Sequence, residues 1–368
     1  MGNGEGIETV NPEFEARGFC ASVMSDGSAS RMSAEDLGRF NDVVAKSSLS
    51  WIDGVLDNFQ AEAAGSAAKL GFSEQLVRTL LKSERSEYED YGNEMGIMIP
   101  AITVHGFDVR TYPLIILIKD NVIVTLHSSG VTRFFRLRRY AETLMKKLPL
   151  GKKKKEDCIT LLLVRILDEN NSRNFEYLME IEEQGDRLSQ QLSDARTPRS
   201  VLGTNIYEMK HALVIYLGGM WATLDALNSM RYGDADLLTD DPRILEKITA
   251  LAAQVNTHIG LAEHLSEVLA SGLEVMQSIY NNQLQILNNR LALLAGYLAI
   301  IGTALLVPNT LATALSGTAF GLTPADMHWY VGLLLGSGVV STFAVFYVIK
   351  KLGFLPAADV DASPGDER

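Results

Sequence analysis

The sequence is poor in the residues that build covalent or metal-stapled frameworks. Its 368 residues include only two cysteines, Cys20 and Cys158, and six histidines. Two thiols are too few for a disulfide framework or a cysteine-based zinc site, and both read as reduced. The histidines make no His-x-x-x-His pattern, and neither a Gly-x-x-x-x-Gly-Lys phosphate loop nor a Gly-x-Ser-x-Gly elbow occurs. Nothing here reads as an enzyme. Positive charge is also short, with 33 Lys and Arg against 45 Asp and Glu, a net charge of −12. So acidic a chain lacks the cationic footprint that nucleic-acid phosphates require, and no nucleic-acid partner is expected. The most telling shortage is local: two long stretches near the C-terminus carry no charge at all.

Those stretches are Leu291–Leu315 and Trp329–Ile349. Each exceeds the roughly 18–20 apolar residues with which a helix crosses a ~30 Å hydrocarbon core. Neither is N-terminal, so a cleaved signal peptide does not account for them. A lipid bilayer is therefore an expected partner. Arg290 abuts the first stretch, Lys350 and Lys351 follow the second, and the connection between them contains no Lys or Arg. The bias of positive residues to the inner side predicts a multi-pass protein of the cytoplasmic (inner or plasma) membrane with both termini cytoplasmic. Trp329, Tyr330 and Tyr347 sit where aromatic rings favour the interface. With no carboxylate or histidine inside either stretch, proton-coupled transport is disfavoured.

Residues 1–30 are Gly-, Ser- and Glu-rich and read as loose. Residues 31–158 read as an α/β cytoplasmic domain. Helical spacing runs from Met32 to Ser86, β-branched runs follow, and Lys119-Asp120-Asn121 marks a hairpin turn. Residues 159–241 read as an antiparallel helical pair, about 159–195 and 204–231, with the apolar LVIYLGGMWATL as a packed face. From Pro242 to about Leu315 there is no strong breaker except Pro308, which predicts one helix of about 105 Å at 1.5 Å per residue. Residues 242–290 form its stalk, 291–317 the first span, 318–328 an outer loop, 329–349 the second span, and 350–368 a basic, then flexible, tail.

The long helix carries a seven-residue repeat. Ile248, Val255, Ala262, Leu269 and Met276 hold one position; Leu251, Leu265, Gly272, Ile279 and Ile286 hold the interleaved one, with His258 a polar break. A sustained 3.5-residue period demands partner helices. A second series by sevens, Asn282, Asn289, Gly296, Thr303, Thr310 and Gly317, is small and polar. Such a stripe suits either close helix packing or the lining of a wet pore, where amide and hydroxyl oxygens meet a cation's water shell. Pro308 frees a carbonyl one turn back and bends or narrows the passage.

With SWIDGVLDNF, YEDYGNEMGIMIP, TYPLIILIKDNVIVTLH and LEVMQSIYNNQLQILNNRLALLAGYLAIIG in order, the chain resembles the CorA family of magnesium and divalent-cation channels over nearly its whole length. The resemblance implies a homopentameric funnel. An α+β cytoplasmic domain, a mixed sheet with flanking helices, leads into a long stalk helix, and two C-terminal transmembrane helices follow. It also implies a basic ring at Lys350 and Lys351. Mg2+ is the implied cargo, transported and with a possible regulatory role. The family's Gly-Met-Asn signature is missing: the corresponding stretch reads VPNTLATALSGTAFG. The polar substitutes expected to meet the metal are Asn309, Thr310 and Thr313, with Asp326 as a ring of negative charge at the mouth or a cap for the second span. The alternatives are a non-conducting scaffold or sensor of the same architecture, and a transporter of Zn2+, Co2+ or Ni2+. The stalk segment ITALAAQVNTHI has no acid to match the family's magnesium sensor, so no regulatory site is assigned.

Overall fold

The computed structural model describes residues 16–82, 87–193, 199–232, 235–316, 321 and 323–351. The chain divides into two compact units, Met1–Gly272 and Leu273–Arg368.

The first unit is built on a seven-stranded sheet: β1 (Gly18–Met24), β2 (Ala29–Ala34), β3 (Ser47–Leu56), β4 (Glu87–Asp90), β5 (Glu94–His105), β6 (Asp108–Lys119) and β7 (Val122–Ser128). The order is β2-β1-β3-β7-β6-β5-β4, and β3–β7 is the one parallel pair. The β6–β7 hairpin turns through Asp120 (φ 47°) and Asn121, where the sequence placed it. Asn121 Nδ2 donates to the Val44 and Ser47 carbonyls at 3.0 and 2.7 Å, tying the turn to the start of β3.

Both sheet faces are buried. On one, α2 (Phe59–Lys69) and α3 (Glu74–Leu80) set Ala63, Ala67, Leu76 and Leu80 against Ile52, Ile115, Leu117 and Val124. α1 (Asn41–Lys46) is a short link into β3. Covering the rest of the sheet are α4 (Arg133–Lys146), α5 (Lys155–Asn171), α6 (Asn174–Ser193) and α7 (Arg199–Tyr232). On α7, a Cβ at Gly219 would lie 2.8 Å from Ile102, so glycine lets the helix approach β5. Of the apolar α7 stretch, Leu213, Tyr216 and Met220 are buried while Val214 and Trp221 are exposed.

Three expectations need correction. The loose segment 1–30 contains β1, whose residues 18–23 are buried between β2 and β3; only 1–15 lie outside the described residues. Phe19 packs edge-on against Trp51 at 5.9 Å, so burial outweighs the polar composition around the strand. The helical spacing from Met32 to Ser86 is interrupted by β3. The helix expected over 159–195 breaks at Ser172-Arg173. At the break the Asn170 carbonyl accepts from buried Arg133, and the Asn174 carbonyl takes the Tyr216 hydroxyl at 2.9 Å.

The long helix is α8 (Pro242–Leu315, 74 residues), continuous through Pro308. Its first turns bury Ile248, Leu251, Val255, Ile259 and Ala262 in the first unit. His258 is also buried there, its ring 5.8 Å from that of Phe175. The second unit holds the remainder of α8 from Leu273, a 3-10 turn (Pro324–Asp326) and α9 (Met327–Lys351).

Candidate functional site

Among the described residues, α8 and α9 are the two helices long and apolar enough to span a membrane. Between Arg290 and Lys350 the only acid or base of the Asp, Glu, Lys or Arg type is Asp326. The helices touch: Tyr330 OH lies 3.4 Å from the Ala312 carbonyl, and a cleft of ≈ 490 Å³ opens between them beside Leu305, Pro308 and Leu334. Most of their apolar surface stays uncovered, with Ile279, Leu298, Leu305 and Phe343 at half exposure or more.

The polar stripe lies on α8 as spaced. Asn282 and Asn289 are exposed, and a Cβ added at Gly296 would meet nothing within 4 Å. Gly317 lies outside the described residues. The hydroxyls share one geometry. Thr303 Oγ1 donates to the Ala299 carbonyl at 2.8 Å, Thr310 Oγ1 to Leu306 at 2.6 Å, and Thr313 Oγ1 to Asn309 at 2.8 Å. Ser316 Oγ donates to the Thr313 carbonyl at 3.1 Å. Each hydroxyl proton is thus held by the helix's own backbone, and the oxygen lone pairs are left as acceptors. Pro308 adds another, since it lacks the N–H that would bond the carbonyl at 304. The Asn309 side chain is exposed and has no hydrogen-bond partner among the described residues. The turn from Pro308 to Thr313 is therefore an uncharged patch rich in acceptors. A hydrated cation presents water hydrogens outward, and acceptors are what those hydrogens need.

Asp326 is occupied locally. Its Oδ2 accepts from Thr323 N at 3.0 Å and Thr323 Oγ1 at 2.7 Å, and its Oδ1 accepts from Trp329 Nε1 at 3.0 Å. This capping box starts the 3-10 turn that leads into α9 and fixes Trp329, and the Thr-x-x-Asp spacing was legible in the sequence. The Thr323 side chain and backbone, then Trp329, hold the carboxyl down to about 2, so it is a permanent negative charge. Lys350 and Lys351 lie in the last turn of α9, where cations complement the helix dipole. A single chain brings together Asn309, Thr310 and Thr313 on adjacent turns; the other predicted residues remain spread along α8 and α9.

No group of three or more His, Cys, Asp and Glu residues placed to hold a metal occurs among the described residues. A buried charged cluster, Asp53 with Arg138 and His127, is sealed from solvent. Sequence reasoning missed it, because only the β3–β7 register sets Asp53 beside Thr125.

The family described as CorA-like Mg2+ transporter protein matches residues 46–351. Among solved structures, the complete CorA magnesium transporter from Methanocaldococcus jannaschii superposes with a TM-score of 0.64 at 20% identity, covering 92% of this chain and 98% of that one. The soluble domain of the same transporter gives 0.55 at 22% identity, covering 70% and 96%. The full-length CmaX protein gives 0.53 at 16% identity, covering 91% and 98%. At these identities the structures testify to the fold. No curated protein matches the chain.

Proposed function

The chain belongs to the CorA-like Mg2+ transporter family, and on that premise we propose that five copies form a channel passing a divalent cation, foremost Mg2+, down its electrochemical gradient across the cytoplasmic membrane. The observation that carries this reading is the acceptor patch at Pro308–Thr313, where side-chain hydroxyls donate inward to backbone and offer their oxygens outward. Mg2+ loses water reluctantly, so neutral acceptors that bond its hydration shell suit it better than a ring of carboxylates that would trap it. Asn309, Thr310 and Thr313 are the proposed contacts, with Gly296 and Thr303 lining the passage further along and Gly317 closing the series. Asp326, while capping α9, contributes a negative charge at the mouth. Lys350 and Lys351 form a basic ring on the cytoplasmic side, with both termini.

Assembly is supported by α8 itself. Its repeat continues past Gly272, where Ile279 and Ile286 are about half exposed in one chain. Partner helices are what such a seam requires. Native mass spectrometry yielding two, three or four copies would sink the pentamer.

Mg2+ influx into proteoliposomes tests conduction. Thr310→Val keeps the side-chain shape and removes the oxygen; each lost acceptor is worth about 1 kcal/mol, roughly fivefold in rate. Flux of wild type indistinguishable from empty liposomes for Mg2+, Co2+, Ni2+ and Zn2+ alike refutes transport. The missing Gly-Met-Asn favours a second reading, a scaffold or sensor that keeps the architecture without conducting; that same null result would support it. Selective passage of Zn2+, Co2+ or Ni2+ would instead change the cargo and leave the channel.

A further inference from the structure

A second cleft, ≈ 470 Å³, lies wholly within the first unit among α4, α5 and α8. Two helices present matching faces to it. α5 contributes Leu161, Val164, Arg165 and Asp168, and α8 contributes Lys247, Ala250, Leu251 and Gln254, both at i, i+3, i+4, i+7 spacing. The C-terminal turn of α4 closes one end with Leu144, Lys147 and Leu148. The floor is aliphatic and the lip is cationic. Arg165 is spoken for, paired with Asp168 at 2.6 Å. Lys147 and Lys247 are exposed and form no ion pair among the described residues. Two unpaired ammonium groups flanking an apolar trough run against the character of a chain of net charge −12.

We propose that this cleft binds a single-chain amphipathic carboxylate, such as a medium-chain fatty acid. Its hydrocarbon lies over Leu148, Val164 and Leu251, and its carboxylate sits between Lys147 and Lys247. The volume falls within the ~300–1,000 Å³ of ordinary small-molecule sites. Two unpaired ammonium groups in the lining of one apolar trough match a ligand with one anionic end. Such a ligand bridges α4 and α5 to α8, the helix that also carries the acceptor patch. Binding is independent of whether the protein conducts, so the site stands or falls without the transport reading.

Decanoate and a water-soluble carbodiimide, added to the full-length protein in phosphatidylcholine nanodiscs, test the site. The carbodiimide converts the bound carboxylate to an amide on the nearest lysine, and peptide mass spectrometry locates it. Labelling at Lys147 and Lys247 is expected to exceed that at Lys152, Lys154 and Lys350 by at least tenfold. Ala250→Trp, a change at an exposed position, fills the trough and leaves both lysines in place; it should bring their labelling down to the level of Lys152. Uniform labelling, or labelling unaffected by Ala250→Trp, overturns the site.

Discussion

Replacing Asp53 by Asn tests what holds the cytoplasmic unit together. Its carboxylate is fully buried; Oδ2 accepts from Arg138 Nε at 2.7 Å, while Oδ1 accepts from Thr125 Oγ1 at 2.5 Å and stands 3.2 Å from His127 Nε2. Arg138 is equally buried and lies over Phe135, its guanidinium carbon 5.0 Å from the ring centroid. Asparagine preserves the volume and can still accept from Arg138, but it removes the negative charge and leaves the buried guanidinium without a counter-ion. Stranding one partner of a buried pair costs about 3–5 kcal/mol. At about 2–4 °C per kcal/mol for a unit of this size, the midpoint should drop by about 6–20 °C. Thermal unfolding of the full chain can be followed by Trp51, whose Nε1 donates to Thr125 Oγ1 at 3.1 Å within the cluster. Arg138→Met added to Asp53→Asn removes the stranded cation and should recover at least half the loss. The pH profile checks the same charge. Burial pushes the Asp53 carboxyl up, but Arg138 and then His127 pull it further down, so its folded pKa is depressed. Its contribution is complete above the unfolded value of about 3.9 and is lost as pH falls below it. Wild type should therefore weaken more steeply than Asp53→Asn in acid. A melting midpoint for Asp53→Asn within about 2 °C of wild type, less than 1 kcal/mol, refutes the argument.

Two further perturbations separate charge from fold. Asp326→Asn should lower cation flux at ~0.01 M ionic strength and have little effect at ~1 M, where the Debye length shrinks from about 30 to 3 Å; Thr323→Ala, which weakens the cap but keeps the charge, should conduct like wild type. Equal low-salt flux in Asp326→Asn and wild type would leave Asp326 as a cap alone. His258 is buried with Nδ1 unpartnered, and burial lowers its pKa. A base with a depressed folded pKa loses stability as pH falls through the unfolded value near 6.5, because protonation favours the unfolded chain. Thermal midpoints of His258→Leu should accordingly change less between pH 7 and 5 than those of wild type, and parallel profiles would exclude the histidine.

Periodicity made some of this architecture legible. The start of α8 at Pro242 and its end at Leu315 follow from one first-turn proline and the absence of breakers, and the β6–β7 turn follows from its charged and amide residues. What stayed hidden depends on contacts far apart in sequence. β1 is a strand because β2 and β3 flank it, and α5 stops at Asn171 beside a carbonyl that Arg133, from another helix, engages. Neither cause has a local signature. At the candidate site, the spacing of Asn309, Thr310 and Thr313 was visible, but the direction of their hydroxyl protons was not. That direction matters, since a hydroxyl that donates outward repels a cation's shell and one that donates inward receives it.

One repeat serves two settings along α8. Up to Ala262 the heptad positions Ile248, Val255 and Ala262 are buried within a single chain. Farther on, Ile279 and Ile286 continue the interleaved position and are about half exposed. A hydrophobic period that outlasts its intrachain core has to be answered by another copy or by lipid, and the two answers differ in sequence. Lipid accepts any apolar side chain, whereas a neighbouring helix favours small residues that admit its backbone. Asn282, Asn289 and Gly296 interrupt the apolar surface at fixed spacing, and beyond Gly296 there is open room. Asn282 and Asn289 precede the span that begins at Leu291, so lipid is not their neighbour, and the assembly proposed above would set this face toward copies of the same helix.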